Sequence, residues 1–225
     1  MTSIIYIFFF KPDIIHFSYY NNFLVKFIKI PYVITVYDLI SEKIHFKQTM
    51  FKKKNLIKNA KHIFCISNQT KRDLIKYYKV KKKKISVVYL GVDQKKYLKK
   101  NKNNYILFVG SRVRYKNFNN LLKAFSKSKY LLKNYKILCF GDKKFNNSEI
   151  YQFNKLKIEK KIFFESGNDS ELNKAYSNAS IFVNPSLFEG FGLTNLEAMK
   201  NGCPVICSNI PVFKEILGKS VEYFN

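Results

Sequence analysis

The chain has 225 residues, 47% of them hydrophobic, which is enough for one large or two small packed domains. Its formal net charge is +26, and 22 of its 41 basic but only 5 of its 15 acidic residues lie in the first 100 positions, a balance that favours an anionic partner. The four cysteines sit in or beside apolar runs with no further Cys/His pair, which excludes a zinc module and a disulfide scaffold and reads as buried thiols in a reducing cytoplasm.

The opening MTSIIYIFFF is apolar but too short to span a bilayer, and it lacks a basic leader and a cleavage site. Ile4 to Phe10 therefore reads as a strand, and Asp13 to Phe17, beyond Lys11-Pro12, as a second apolar run. Residues 32–40, YVITVYDLI, read as a strand and its following loop, with Asp38 either a capping aspartate or a functional one. Phe51, Leu56, Ile57 and Ala60 lie among lysines with the spacing of an amphipathic helix. His62 to Ile66 is the next strand. Ser67 then caps a helix over NQTKRDLIKYY, with Leu74, Ile75 and Tyr78 on one face. A strand over Ile85 to Leu90 closes a first domain, residues 1–93. The polar, lysine-rich stretch 94–104 reads as a linker to a second domain, 105–225.

That second part alternates. Strands are expected at 105–110, 136–140, 162–165, 181–183 and 204–207, and helices from Phe118 and at 147–157, 169–179, 192–201 and 211–217. Such alternation implies a parallel sheet covered on both faces, with the loops 110–116, 141–146 and 186–192 gathered at its carboxyl edge. Within IFVNPSLFEGFGLTNLEAM (181–199), the glycine-bracketed FEGFG feeds a helix. Unpaired backbone N–H groups at a helix start, at the positive end of its dipole, suit a phosphate. Glu189 and Glu197 flank this point, about 10 Å apart at 1.5 Å per helical residue.

These residues resemble the E-x7-E signature of the retaining nucleotide-sugar glycosyltransferases of family 4, also called group 1. PDIIH at 12–16, the TVYDL near 35–39 (with Tyr37 where relatives often carry His) and Gly91-Val92-Asp93 are similar to further segments of that family. The resemblance implies an α/β chain of GT-B type: two Rossmann-like domains with parallel sheets, the first incomplete and the second without its C-terminal helices. It implies transfer of a hexose, mannose- or glucose-like, from a UDP- or GDP-sugar to a glycan or lipid-linked acceptor in surface polysaccharide or lipopolysaccharide synthesis. Glu189 would contact the transferred sugar and Glu197 the ribose. Arg112 and Lys116, with Gly190, Phe191, Gly192 and Leu193, would hold the diphosphate. Arg114 is the alternative to Arg112, and Asp38 is an acceptor-side candidate.

No D-x-D motif occurs, so neither a metal nor another cofactor is expected. The location expected is cytoplasmic, with peripheral contact to an acidic membrane through the basic first part. The chain matches the middle and later parts of the family pattern, so the reading is a chain truncated at both ends that transfers no sugar alone. Two alternatives remain open: an inactive remnant, and a basic nucleic-acid-binding protein, the latter without any recognisable nucleic-acid motif. The same excess of Lys, Asn, Ile, Phe and Tyr is also what AT-rich coding DNA gives.

Overall fold

The computed structural model describes residues 9–20, 29–44, 46–93, 103–141 and 143–225, with the side chains of 46–52 outside the description. The chain forms two units. One comprises residues 1–90 with 189–191, the other residues 91–188 with 192–225.

The first unit is a four-stranded parallel sheet in the order β1 (Ile15–Phe17), β2 (Tyr32–Val36), β3 (His62–Cys65), β4 (Ile85–Val87). Between β2 and β3 lie α1 (Ile40–Ile44) and α2 (Phe46–Asn59), and between β3 and β4 lies α3 (Asn68–Tyr78). Each strand is added on the same side of the last, so crossovers of one hand put their helices on one face of the sheet. The core sits there: Phe17, Ile34, Val36, Ile63, Cys65 and Ile85 pack with Leu56, Ile57, Leu74 and Tyr78. The other face carries His16, Thr35, His62, Phe64 and Ser86, half-buried or exposed. There His16 Nε2 meets Thr35 Oγ1 at 2.8 Å and His62 Nε2 meets Ser86 Oγ at 2.9 Å. Among the described residues this first sheet is therefore packed on one face. Ser67 does cap α3, accepting from Thr70 N–H.

The expected strand over Ile4 to Phe10 falls mostly outside the described residues, but Phe9 and Phe10 are helical. A short run that is apolar throughout does not separate the two periods, and Lys11 ends the turn with φ 38°. Residues 94–102 of the linker are also outside the description. Asn103 and Asn104 belong to the next strand, because main-chain pairing of Asn103 with Ala179 carries the ladder past the apolar run.

The second unit is a six-stranded parallel sheet in the order β10-β9-β8-β5-β6-β7. Its strands are β5 (Asn103–Val109), β6 (Lys136–Phe140), β7 (Ile162–Glu165), β8 (Ala179–Asn184), β9 (Val205–Ser208) and β10 (Glu222–Phe224). Helices α4 (Phe118–Lys127), α5 (Lys129–Asn134) and α6 (Asn147–Lys155) join β5 to β7 on one face. Helices α7 (Asp169–Asn178), α8 (Leu193–Lys200) and α9 (Pro211–Leu217) serve the other half. Alternate side chains of each strand feed two cores. Ile106, Phe108, Ile137 and Cys139 pack with α4 to α6, and Leu107, Leu138, Phe140 and Phe182 pack with α7 to α9. The strand order reverses between β5 and β8, and the loops at their carboxyl ends open onto one crevice, the place where such sheets bind ligands. All four cysteines are buried and unbridged, and burial pushes the Cys65 and Cys207 thiols up to about 12.

Candidate functional site

Two loops meet at the switch point. The loop after β5 turns at Gly110 (φ 105°), makes a 3-10 turn over Arg114–Lys116, and enters α4 through Asn117 in the left-handed region. The loop after β8 joins it by a main-chain bond in which Leu187 N–H donates to Tyr115 O at 2.8 Å. Lys116 is thus next to a residue fixed against the β8 loop, and Arg114, in the same turn, is exposed.

From Asn184 the chain makes a polar latch. Asn184 Oδ1 accepts from Ser186 N–H (3.3 Å) and Ser186 Oγ–H (2.7 Å), while its Nδ2 donates to Asn195 Oδ1 at 3.1 Å. All three residues are buried. The end of β8 is thereby tied to the first turn of α8, and the excursion carrying FEGFG is closed at its base. Gly192 opens α8 with φ 90°, and no side chain caps the helix. A Cβ at Gly192 would lie 2.5 Å from the Phe213 ring, so both backbone and packing require glycine. The first N–H groups of α8 therefore point out of the helix beside the two loops, without a side-chain cap.

Further along α8, Glu197 accepts from the buried Tyr176 hydroxyl at 3.2 Å. It lines a cavity of about 300 Å³ with Leu193, Lys200, Asp169, Asn173 and the stretch 91–93. Burial raises its pKa above the usual carboxylate range. The Asp169 charge acts the same way, against the Tyr176 hydrogen bond and Lys200.

Arg112 reaches across to the loop after β6. Its Nε and Nη2 bond both Glu149 oxygens (2.6 and 3.3 Å), and Nη2 also donates to the carbonyls of Lys143 and Lys144 at 2.8 and 2.9 Å. The guanidinium lies over the Phe145 ring at 4.9 Å, and its side chain is 6% exposed.

Glu189, Gly190 and Phe191 group with the first unit. There the Gly190 carbonyl accepts from Ser67 Oγ–H at 2.7 Å, and a Cβ on Gly190 would meet Tyr37 O and Asp38. Asp38 itself accepts from Ile40 N–H at 3.0 Å and so opens α1, the work of a capping aspartate. Near it, Glu42, 1% exposed, bonds Lys53 Nζ at 3.0 Å and the Tyr78 hydroxyl at 2.7 Å. The second unit therefore holds Arg114 and Lys116 in one turn and brings Leu193 and Glu197 to one cavity at the helix that Gly192 opens, and the first sets Asp38 beside Gly190. The sequence reading overlooked Asn184, Ser186, Asn195 and Tyr176. Their one signal was a polar residue ending an apolar strand and another opening a helix.

The comparisons with known proteins follow the same division. Residues 92–223 match the family model described as glycosyl transferases group 1, and residues 4–96 that described as glycosyltransferase family 4. The O-antigen chain mannosyltransferase RfbU of Salmonella typhimurium is 35% identical over 193 residues, 84% of this chain and 52% of its own length. The chain thus spans about half the length of that relative. Among solved structures, Anabaena Alr3699/HepE in complex with UDP and glucose superposes with a TM-score of 0.81 at 18% identity, covering 99% of this chain and 67% of that one. Sucrose-phosphate synthase from Thermosynechococcus elongatus gives 0.78 at 19% identity, covering 98% and 62%. With parallel sheets of the GT-B fold and a family model matched over more than half its length, the chain belongs to the group 1 glycosyl transferases.

Proposed function

We propose that the chain is part of a retaining hexosyltransferase of surface-polysaccharide synthesis, with a nucleoside diphosphate hexose as donor and a glycan or lipid-linked acceptor. The observation that carries the reading is the start of α8. An uncapped helix N-terminus follows the loop after β8 at the switch point of a doubly wound sheet, and that loop is bonded through Leu187 to Tyr115 in the turn bearing Arg114 and Lys116. When the bond to the sugar breaks, negative charge grows on the departing diphosphate. Fixed N–H dipoles and cations offset that charge without having to reorganise. In this reading Glu197 holds the ribose, Glu189 the transferred sugar, and Gly190, Phe191, Gly192 and Leu193 shape the backbone around the phosphates. The proton of the acceptor passes to the departing phosphate, so no separate carboxylate base is invoked.

Mannose is the hexose favoured, since the relative from Salmonella is named a mannosyltransferase. GDP-mannose and UDP-glucose, with their free nucleotides, form the test set. Calorimetry on the 225-residue chain is expected to give saturable one-site binding for one nucleotide family, weakened by K116A by about 1.5–3 kcal/mol, the scale of a charge-assisted contact. No binding of any of the four would remove the reading.

A further inference from the structure

We propose that Arg112 is a positioning residue that sets the course of the loop after β6, and that it is not a cation that meets the diphosphate. This rests on the donor reading above. The guanidinium spans three partners in two segments: the Glu149 carboxylate at 2.6 Å and the carbonyls of Lys143 and Lys144 at 2.8 and 2.9 Å. The rings of Phe145 and Phe164 lie against it, at 4.9 and 5.8 Å. Glu149 is itself engaged twice. It stands at the third position of α6, where its Oε2 accepts from Asn146 N–H at 2.9 Å and completes a capping box.

From its place after β5, Arg112 therefore fixes both the carbonyl direction of Lys143 and Lys144 and the starting point of α6. Turning it toward an anion in the crevice would break a paired, nearly buried contact and strand two carbonyls and a carboxylate, each a costly loss. Its charge is also already matched at 2.6 Å, so little field remains for a second anion. Arg114, two residues on, is exposed and shares a turn with Lys116, and in this reading it is the arginine that meets the phosphates. The loop at Lys143–Asn146 shares the carboxyl edge with that turn. Arg112 thus acts on the nucleotide through the wall it holds.

The two roles predict opposite behaviour for Glu149→Gln and Arg112→Lys. Nucleotide affinity is measured by calorimetry on the full 225-residue chain, using UDP and GDP as probes. Amide hydrogen exchange at residues 143–149 is followed without nucleotide. A positioning role predicts that R112K, R112A and E149Q each speed exchange and each lower affinity on the order of tenfold, the scale at which outer partners of a site act. Lysine cannot span a carboxylate and two carbonyls, so R112K should fare no better than R112A, and R112K with E149Q no worse than either alone.

If R112K keeps the affinity, or if E149Q leaves it intact or raises it while R112A lowers it, Arg112 is a phosphate ligand and the proposal fails. Faster exchange with unchanged affinity in every variant would make the contact purely structural and also overturn it. A wild-type chain that binds neither UDP nor GDP would sink the donor reading itself, and this role with it. That failure is recognised before any variant is made.

Discussion

Glu197 shows how one side chain can be held at some expense to stability. Its carboxyl is half-buried against Tyr176 and its pKa is raised by that burial. A raised acid binds its proton more tightly folded than unfolded. Its unfavourable contribution is therefore absent below the unfolded-state pKa and grows as pH rises through the folded one. Glu197→Gln, which still offers Tyr176 an acceptor, should raise the melting temperature at pH 7 and lose that gain near pH 4, as followed by calorimetric scans. An equal effect at both values would contradict the assigned environment. Asn184 is the opposite case, a buried amide whose oxygen and nitrogen are both engaged. Asn184→Ala leaves the Ser186 N–H and the Asn195 amide without their partner. It should cost about 2–3 kcal/mol in denaturant unfolding, at the upper end for stranded buried polar groups.

At the scale of elements, the sequence pattern told most where apolar spacing and caps coincide, as in the helix from Asn68 that Ser67 caps and the strands β6 and β7. It told less where a partner distant in sequence decides. The strand β10 has only three residues, and its pairing with β9 defines it. The ion pair of Arg112 could not be read from the sequence, because its carboxylate partner lies 37 positions away. The N-terminus of α8 was legible because the glycine bracket and the helix pattern are both local. Gly192→Ala tests that start: a Cβ would face the Phe213 ring and the residue would sit at φ 90°. A loss of about 1–3 kcal/mol, the cost of such strain, is expected in thermal unfolding, with weaker nucleotide binding because the first turn must shift.

For the whole molecule, charge is the dominant property. Among the described residues no helix is long and apolar enough to cross a membrane, yet the first 100 positions hold most of the +26 excess. If the acceptor is lipid-linked, co-sedimentation with vesicles should require acidic lipid and fall as salt rises. Equal binding to neutral vesicles would refute an electrostatic attachment.

The strand order of the second unit also bears on how that unit is made. β6 and β7 are added outward from β5 in chain order, so three strands can pair as soon as they are synthesised. The chain then returns past them to lay β8 against the other edge of β5. That pairing joins segments about 75 residues apart, a distant contact of the kind that slows folding. The crevice exists only once β8 has docked, and the latch at Asn184 and the start of α8 come with it. Competence to bind a ligand there is therefore a late folding event, and nucleotide binding during refolding would time the return of β8.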